Sequence, residues 1–315
     1  MVSMTKDFPH GEVCSAVAAI SQKLRGVCRP GIAQEIERWM SSLSPTDHPS
    51  GYFTQQAMFP MFLLPAWMAT SSGGWDGQFQ SDLVYSTVNG YYFIRLLDNV
   101  MDGHFTVERE LLPMSAFFHS EFQSVYQRYF AAAHPFWPSF HSLWIGSAEA
   151  VVREAALQDM NFAGFREVAV AKLCASKIPL AAAHSYYGER SELALWLQFS
   201  DKLAQWWQFL DDLMDWHTDH LRGAATYFLC EARRRKRTAE SVHRWVVREG
   251  FQWGLDTLTE WMWELQTRAS SLPCSEIGVF LGERAAMLKA IAAETMPGMQ
   301  GLEHLALAMD ANAGG

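Results

Sequence analysis

Apolar residues recur at spacings of three and four along almost the whole chain, interrupted by clusters of Gly, Pro and Ser. Alternating runs of β-branched residues are nearly absent. The periodicity predicts helices over residues 10–25, 30–43, 53–69, 79–102, 108–132, 139–158, 164–187, 191–220, 226–248, 251–271 and 275–293. The breaks between them, SPTDHPSG, SSGGWDG, AAHPFWP and YYGER, are too short and too apolar to be interdomain linkers. The expectation is one all-α domain over residues 1–315, with N-terminal helices in 1–50, a catalytic bundle in 51–295 and a tail in 296–315 whose small-residue end, MDANAGG, frays.

Composition narrows the function classes. The chain has 315 residues, 49% of them apolar, enough for a large core. A formal net charge of −9 argues against a protein built to hold nucleic acid, which needs clustered Lys and Arg. The basic run ARRRKR, residues 232–237, is expected to be a solvated helix face. Five scattered cysteines without C-x-x-C spacing fit reduced thiols and a cytoplasmic location. The N-terminal apolar run is too short and polar for a signal peptide, and AMFPMFLLPAWMA, residues 57–69, is shorter than a bilayer span and holds two prolines. A soluble protein without stable membrane insertion is expected.

Against this background WWQFLDDLMDWHTD, residues 206–219, is unusual, because four aspartates lie on an otherwise apolar helix. Asp211, Asp215 and Asp219 share one face at i, i+4 spacing, with Asp212 beside them and Trp207, Ala204 and Ser200 beneath. A second cluster ends FIRLLDNVMDG, where Asp98 and Asp102 are again i, i+4 above Ile94, Tyr91 and Thr87. One such pair alone reads as a solvated helix end. Two pairs, each closing a long apolar-faced helix, suggest carboxylates neutralised by a hard divalent cation, and Mg²⁺ favours one or two carboxylates plus phosphate oxygens. A diphosphate held through metal between the clusters would meet that requirement.

QFLDDLMD, residues 208–215, resembles the second aspartate-rich motif, Q-x-x-D-D-x-x-D, of trans-polyprenyl diphosphate synthases in the class I isoprenoid synthase superfamily. DNVMD, residues 98–102, resembles the first motif with Asn99 in place of the second Asp. KIPLAAAHSYYG, residues 177–188, is similar to the diphosphate-binding Lys helix, and DHLRGAATYFL, residues 219–229, to the basic–Gly–Thr–Tyr segment that follows the second motif.

The resemblance implies a helical bundle around a central cavity with the aspartates at its mouth. It also implies an enzyme whose Asp98, Asp102, Asp211 and Asp215 hold Mg²⁺, as three ions with diphosphate, or Mn²⁺ in its place. Asp212 and Lys177 join the catalytic set, and Lys177, Arg222, Gln208 and Arg95 would contact diphosphate, Arg95 being read first as a partner of Asp98. Tyr91, Phe93, Ile94 and Trp207 would line the cavity, with Phe93 and Ile94 at its floor. His104, His217 and His220 flank the clusters and are expected behind the metal site or in solvent, since Mg²⁺ prefers oxygen ligands. Lys172 is the competing cation, about 140° from Lys177 on a continuous helix. An allylic prenyl diphosphate is the expected substrate, and a homodimer is left open.

Three readings follow. Elongating synthases resembling this family carry a G-K-x-x-R-P segment and an Arg pair for isopentenyl diphosphate, whereas here Arg109 stands alone after Asp102 and KLRGVCRP, residues 23–30, lies far upstream. That departure, with thirteen tryptophans able to face a carbocation, tilts the sequence reading to a class I terpene synthase. The cyclase motif N-D-x-x-S-x-x-x-E is absent, which keeps a chain-elongating synthase as the alternative. A catalytically silent prenyl-binding subunit is the third.

Overall fold

The computed structural model describes residues 8–55, 59–101, 109–188 and 193–313. Among them the regular elements are all helical: α1 (His10–Val27), α2 (Pro30–Ser42), α3 (Leu63–Ser71), α4 (Gly77–Met101), α5 (Ser115–Tyr129), α6 (Phe136–Ala155), α7 (Phe162–Lys172), α8 (Cys174–Tyr187), α9 (Leu193–Met214), α10 (Trp216–Arg222), α11 (Tyr227–Arg235), α12 (Val242–Trp245), α13 (Phe251–Ala269) and α14 (Glu276–Ala313). No helix among the described residues is long and apolar enough to cross a membrane.

The observed helices depart from the predicted ones where local chemistry overrides periodicity. The expected 53–69 helix shrinks to Leu63–Ser71, because Pro60 has no N–H to continue a helix and Pro65 is tolerated only in the first turn. The expected 164–187 helix breaks at Leu173, whose φ of −90° and ψ of 27° are not helical. The 226–248 helix stops at Lys236, at φ −62° and ψ 150°, and restarts where the Ser241 side chain accepts the Arg244 N–H. The last helix, α14, extends past the predicted end at residue 293, running through Pro297 to Ala313 in a segment rich in Ala, Leu, Met and Glu.

The chain divides into two compact units, Met1–Trp144 with Ala175–Leu193, and Ile145–Cys174 with Ala194–Gly315. In the first unit α4 carries the first aspartate motif, and aromatic rings surround it. Tyr92 packs on Trp39 at 5.7 Å and on Phe118 at 5.4 Å, and Phe122 and Tyr126 continue the row. Such pairs each add about 0.5–1.5 kcal/mol beyond the area they bury. Glu121 of α5 accepts from both Tyr85 (2.8 Å) and Lys23 (2.6 Å). The far end of α8 is tied to the start of α4. Tyr186 stacks on Phe79 at 3.9 Å and donates to Asp76, while the Tyr187 hydroxyl accepts from the Gln80 side chain at 3.0 Å.

In the second unit α9 is the central helix. Trp196, Phe199, Leu203, Trp206, Phe209 and Leu213 are buried, and the Trp206 indole donates to the Leu258 carbonyl of α13 at 2.9 Å. The basic run is solvent-exposed, as expected, and its side chains also make ion pairs: Arg234 binds Asp159 and Glu231, and Arg235 binds Glu231 and lies 4.3 Å from the Trp253 ring centre. Arg248 clamps Glu240 through two bonds of 2.7 and 2.8 Å, holding that carboxyl down at about 2.

A π turn, Val246–Gly250, joins α12 to α13, and its last residue makes room for the buried Trp245 ring. A Cβ at position 250 would sit 2.3 Å from that ring, which is rigid and has nowhere to swing. Gly250→Ala is expected to lose about 1–2 kcal/mol, overpacking outweighing the gain in helix propensity. A urea titration followed by circular dichroism checks this, and an unchanged or higher midpoint contradicts it.

Candidate active site

The second aspartate motif sits where α9 meets α10. The Asp215 N–H donates to the Asp211 carbonyl at 2.9 Å and the Asp219 N–H to the Asp215 carbonyl at 3.0 Å. Helical bonding thus continues through the junction and keeps Asp211, Asp215 and Asp219 on one line. Asp211 and Asp215 are exposed, Trp207 beneath them is half-buried, and Ala204 and Ser200 are fully buried. The predicted stripe of charge over small and aromatic residues is therefore present.

Asp212 behaves differently from its neighbours. Its side chain is buried, and that burial pushes its carboxyl up to about 7. The Gln208 amide, donating at 3.0 Å, and the charge of Lys172 oppose the rise, while Asp211 and Asp219 add to it. Gln208, expected on the diphosphate, is thus engaged with Asp212. Lys172 pairs with Glu154 at 2.7 Å within the same unit. The 140° separation of Lys172 from Lys177 assumed one continuous helix, and the break at Leu173 removes that geometry.

Downstream, α10 ends at exposed Arg222, and Gly223 reverses the chain at φ +73°, a conformation that L side chains rarely adopt. Thr226 then caps α11 by accepting the Leu229 N–H. His217 and His220 cluster with His243, which no local pattern in the sequence singles out. His217 Nδ1 lies 3.2 Å from His243 Nε2, and burial first, then its two neighbours, lowers the His243 pKa. Among the described residues no group of three or more His, Cys, Asp or Glu is arranged to hold a metal ion by itself.

The first motif lies in the other unit. Arg95 donates to Asp98 at 3.0 Å, the pairing read first from their i, i+3 spacing. Asn99 is buried, and Asp102 and His104 lie outside the described residues. Tyr91 shares a 2.8 Å hydrogen bond with Tyr52 and packs on Phe53; burial, above all, raises its pKa. Ile94 is half-buried, and the Phe93 ring packs against His119 of α5 and Trp144 of α6 at 5.2 and 5.4 Å. Lys177 is buried in the first turn of α8. A groove of about 860 Å³ lies between α7, α9 and α13, lined by Lys202, Gln205, Trp261 and Glu264, well around α9 from Asp211.

No protein-family model matches the chain, and no curated protein sequence does. Solved structures do. A geranylgeranyl pyrophosphate synthetase from the archaeon Geoglobus acetivorans aligns with a TM-score of 0.64 at 12% identity, covering 89% of this chain and 98% of that one. Heptaprenyl diphosphate synthase from Staphylococcus aureus aligns at 0.64 and 10%, covering 93% and 99%. A polyprenyl synthase from Caulobacter crescentus, complexed with calcium and isoprenyl diphosphate, aligns at 0.58 and 14%, covering 90% and 98%. The chain has the isoprenoid synthase fold. Asp98 of the first motif lies in the last turn of α4, and the second motif falls at the end of α9.

The raised Asp212 carboxyl makes a signed prediction for metal-free protein. Below about pH 4 the carboxyl is protonated in both folded and unfolded chains, and burial costs nothing. Between pH 4 and 7 the unfolded chain ionises first, so stability falls through that window and is flat above it. Asp212→Asn removes this loss. In EDTA the variant is expected to match wild type near pH 4 and exceed it by on the order of a few kcal/mol at pH 8. Denaturant titrations at the two pH values check this; equal stability at pH 8 contradicts it.

Proposed function

We propose that this chain acts on an allylic prenyl diphosphate and transfers the prenyl group to a second isoprenoid diphosphate, as a chain-elongating trans-prenyl diphosphate synthase. The observation that carries the reading is the line Asp211–Asp215 above Trp207, Ala204 and Ser200, on a chain with the fold of three prenyl diphosphate synthases. Those neighbours favour elongation over the terpene synthase to which the sequence tilted. The terpene synthase keeps one observation in its favour, the solitary Arg109 where elongating relatives place an Arg pair.

The donor set suits a hard cation. Asp211 and Asp215 present solvent-facing carboxylates one turn apart, and Asp98 adds another that is 42% exposed. One or two carboxylates per ion leave the remaining positions to phosphate oxygens and water. When bound, Mg²⁺ supplies neutralisation of the diphosphate, which makes it a good leaving group. Asp98, Asp102, Asp211 and Asp215 would hold the metal. Gln208 fixes Asp212 behind that line, and Lys177 and Arg222 would bind the diphosphate oxygens. The allylic C–O bond then breaks, its electron pair leaving with diphosphate. The resulting allyl cation is attacked by the double bond of isopentenyl diphosphate, and loss of a proton closes the cycle. Apolar residues below the aspartates exclude water, which would otherwise trap the cation as an alcohol.

Diphosphate release is expected to require Mg²⁺ or Mn²⁺ and to disappear in EDTA. Asp98→Ala and Asp211→Ala should each lower it by orders of magnitude with helicity unchanged by circular dichroism; full activity in EDTA contradicts the metal assignment. Incubation with C10, C15, C20 and C25 allylic diphosphates, with and without isopentenyl diphosphate, separates the readings. A longer diphosphate formed only with isopentenyl diphosphate supports elongation. Hydrocarbon or alcohol formed without it supports the terpene synthase, and no diphosphate release from any substrate supports a silent subunit.

A further inference from the structure

Arg284 of α14 is buried, only 6% exposed, and among the described residues it has no carboxylate partner. Its guanidinium stands 4.7 Å from the Phe280 ring centre and 5.8 Å from that of Trp207. Its polar contact is the Met287 thioether at 4.0 Å, and its Nε is buried with no acceptor. Adjacent Glu283 is exposed. A buried guanidinium cannot shed its proton to escape the cost of burial, so a cation left in this state is either sandwiched by aromatic rings for packing or kept for an anion that arrives later.

Position decides between these. Trp207 is four residues before Asp211, on the stripe that carries the metal-type carboxylates, and its ring is half-buried where the surrounding core rings are closed off. On the same stripe the Ser200 hydroxyl is fully buried and also lacks a hydrogen-bond partner. Two unsatisfied polar groups therefore attach to one face of the second unit, below a row of carboxylates that repels anions unless metal is present. A packing cation would gain most from a carboxylate in direct contact, whereas the nearby acid, Glu283, is exposed and acts on Arg284 only through its charge.

We propose that Arg284 is an anion-binding residue of this face and takes a phosphate or diphosphate group. The proposal rests on the prenyl diphosphate reading for the choice of anion, and it gives this chain a cation for diphosphate where the family's Arg pair is missing. Arg284 forms charge-assisted hydrogen bonds to the phosphate oxygens while Trp207 and Phe280 keep its plane fixed.

The test uses the full chain and inorganic pyrophosphate as the probe, followed by calorimetry in EDTA and again with Mg²⁺. Wild type is expected to bind in both conditions. Arg284→Met, of similar length and uncharged, is expected to weaken binding in EDTA by about tenfold or more, and Arg284→Lys by clearly less. Because the buried charge is unpaired, Arg284→Met should also raise the thermal midpoint of the ligand-free protein; a packing arginine would lower it. Asp211→Asn should remove the Mg²⁺-dependent gain while binding in EDTA persists or tightens, one repelling carboxylate being gone, so a failure of the metal reading is visible separately. Unchanged pyrophosphate binding by a folded Arg284→Met overturns the proposal, as does absence of wild-type binding in EDTA. If Arg284→Met does not fold, equal binding by Arg284→Lys and wild type together with a lowered Arg284→Lys midpoint also overturns it.

Discussion

Desolvation of carboxylates at the end of α9 is the constraint around which the second unit is organised. Three aspartates fall within five residues, and the fold gives them different environments: Asp211 and Asp215 keep water, and Asp212 does not. The buried one is tolerated because Gln208 donates to it and because its carboxyl stays protonated to about pH 7. Arranged this way, the helix end carries two solvent-facing carboxyls on an open line and, behind them, one whose burial favours the neutral form. Repulsion is thereby reduced without giving up the oxygen donors that a cation needs.

The rest of α9 supports that end by being rigid. Phe209, three turns of aromatic neighbours around it, meets Phe165, Tyr227, Trp253 and Trp261 at 5.2 to 6.0 Å. The Trp206 indole spends its N–H on a carbonyl of α13. These contacts fix the rotation of α9 about its axis, which decides whether Asp211 or Asp212 meets water. Arg234 ties α11 to Asp159, and Arg248 ties the turn after α12 to Glu240 before it. An acidic chain thus spends much of its local basic charge on structure, which makes the unpaired Arg284 the more informative exception.

The helical class and the two aspartate lines were legible because each rests on a local period. Spacing by four places Asp211, Asp215 and Asp219 on one face in any helix, and the junction at Asp215 did not disturb it, since the backbone bonds continue. The pairing of Arg95 with Asp98 was legible for the same reason. The angle between Lys172 and Lys177 was not legible, because an angle read along a helix is valid only while the helix is unbroken, and nothing in AKLCASK announces the turn at Leu173. His243 and Arg284 were missed because the contacts that tie them to the aspartate helix end, His243 with His220 and Arg284 with Trp207, span 23 residues or more, beyond any window in which a period shows.

By itself, then, the sequence determined the fold class, the carboxylate-bearing faces and the chemistry those faces suit, all of which follow from side-chain type and helical repeat. Tertiary structure alone decided which aspartate loses its water, which lysine bears on it and which arginine is buried without an acid. Burial and long-range electrostatics depend on what a second helix brings alongside the first. That neighbour is set by packing across the whole unit, and no local pattern encodes it.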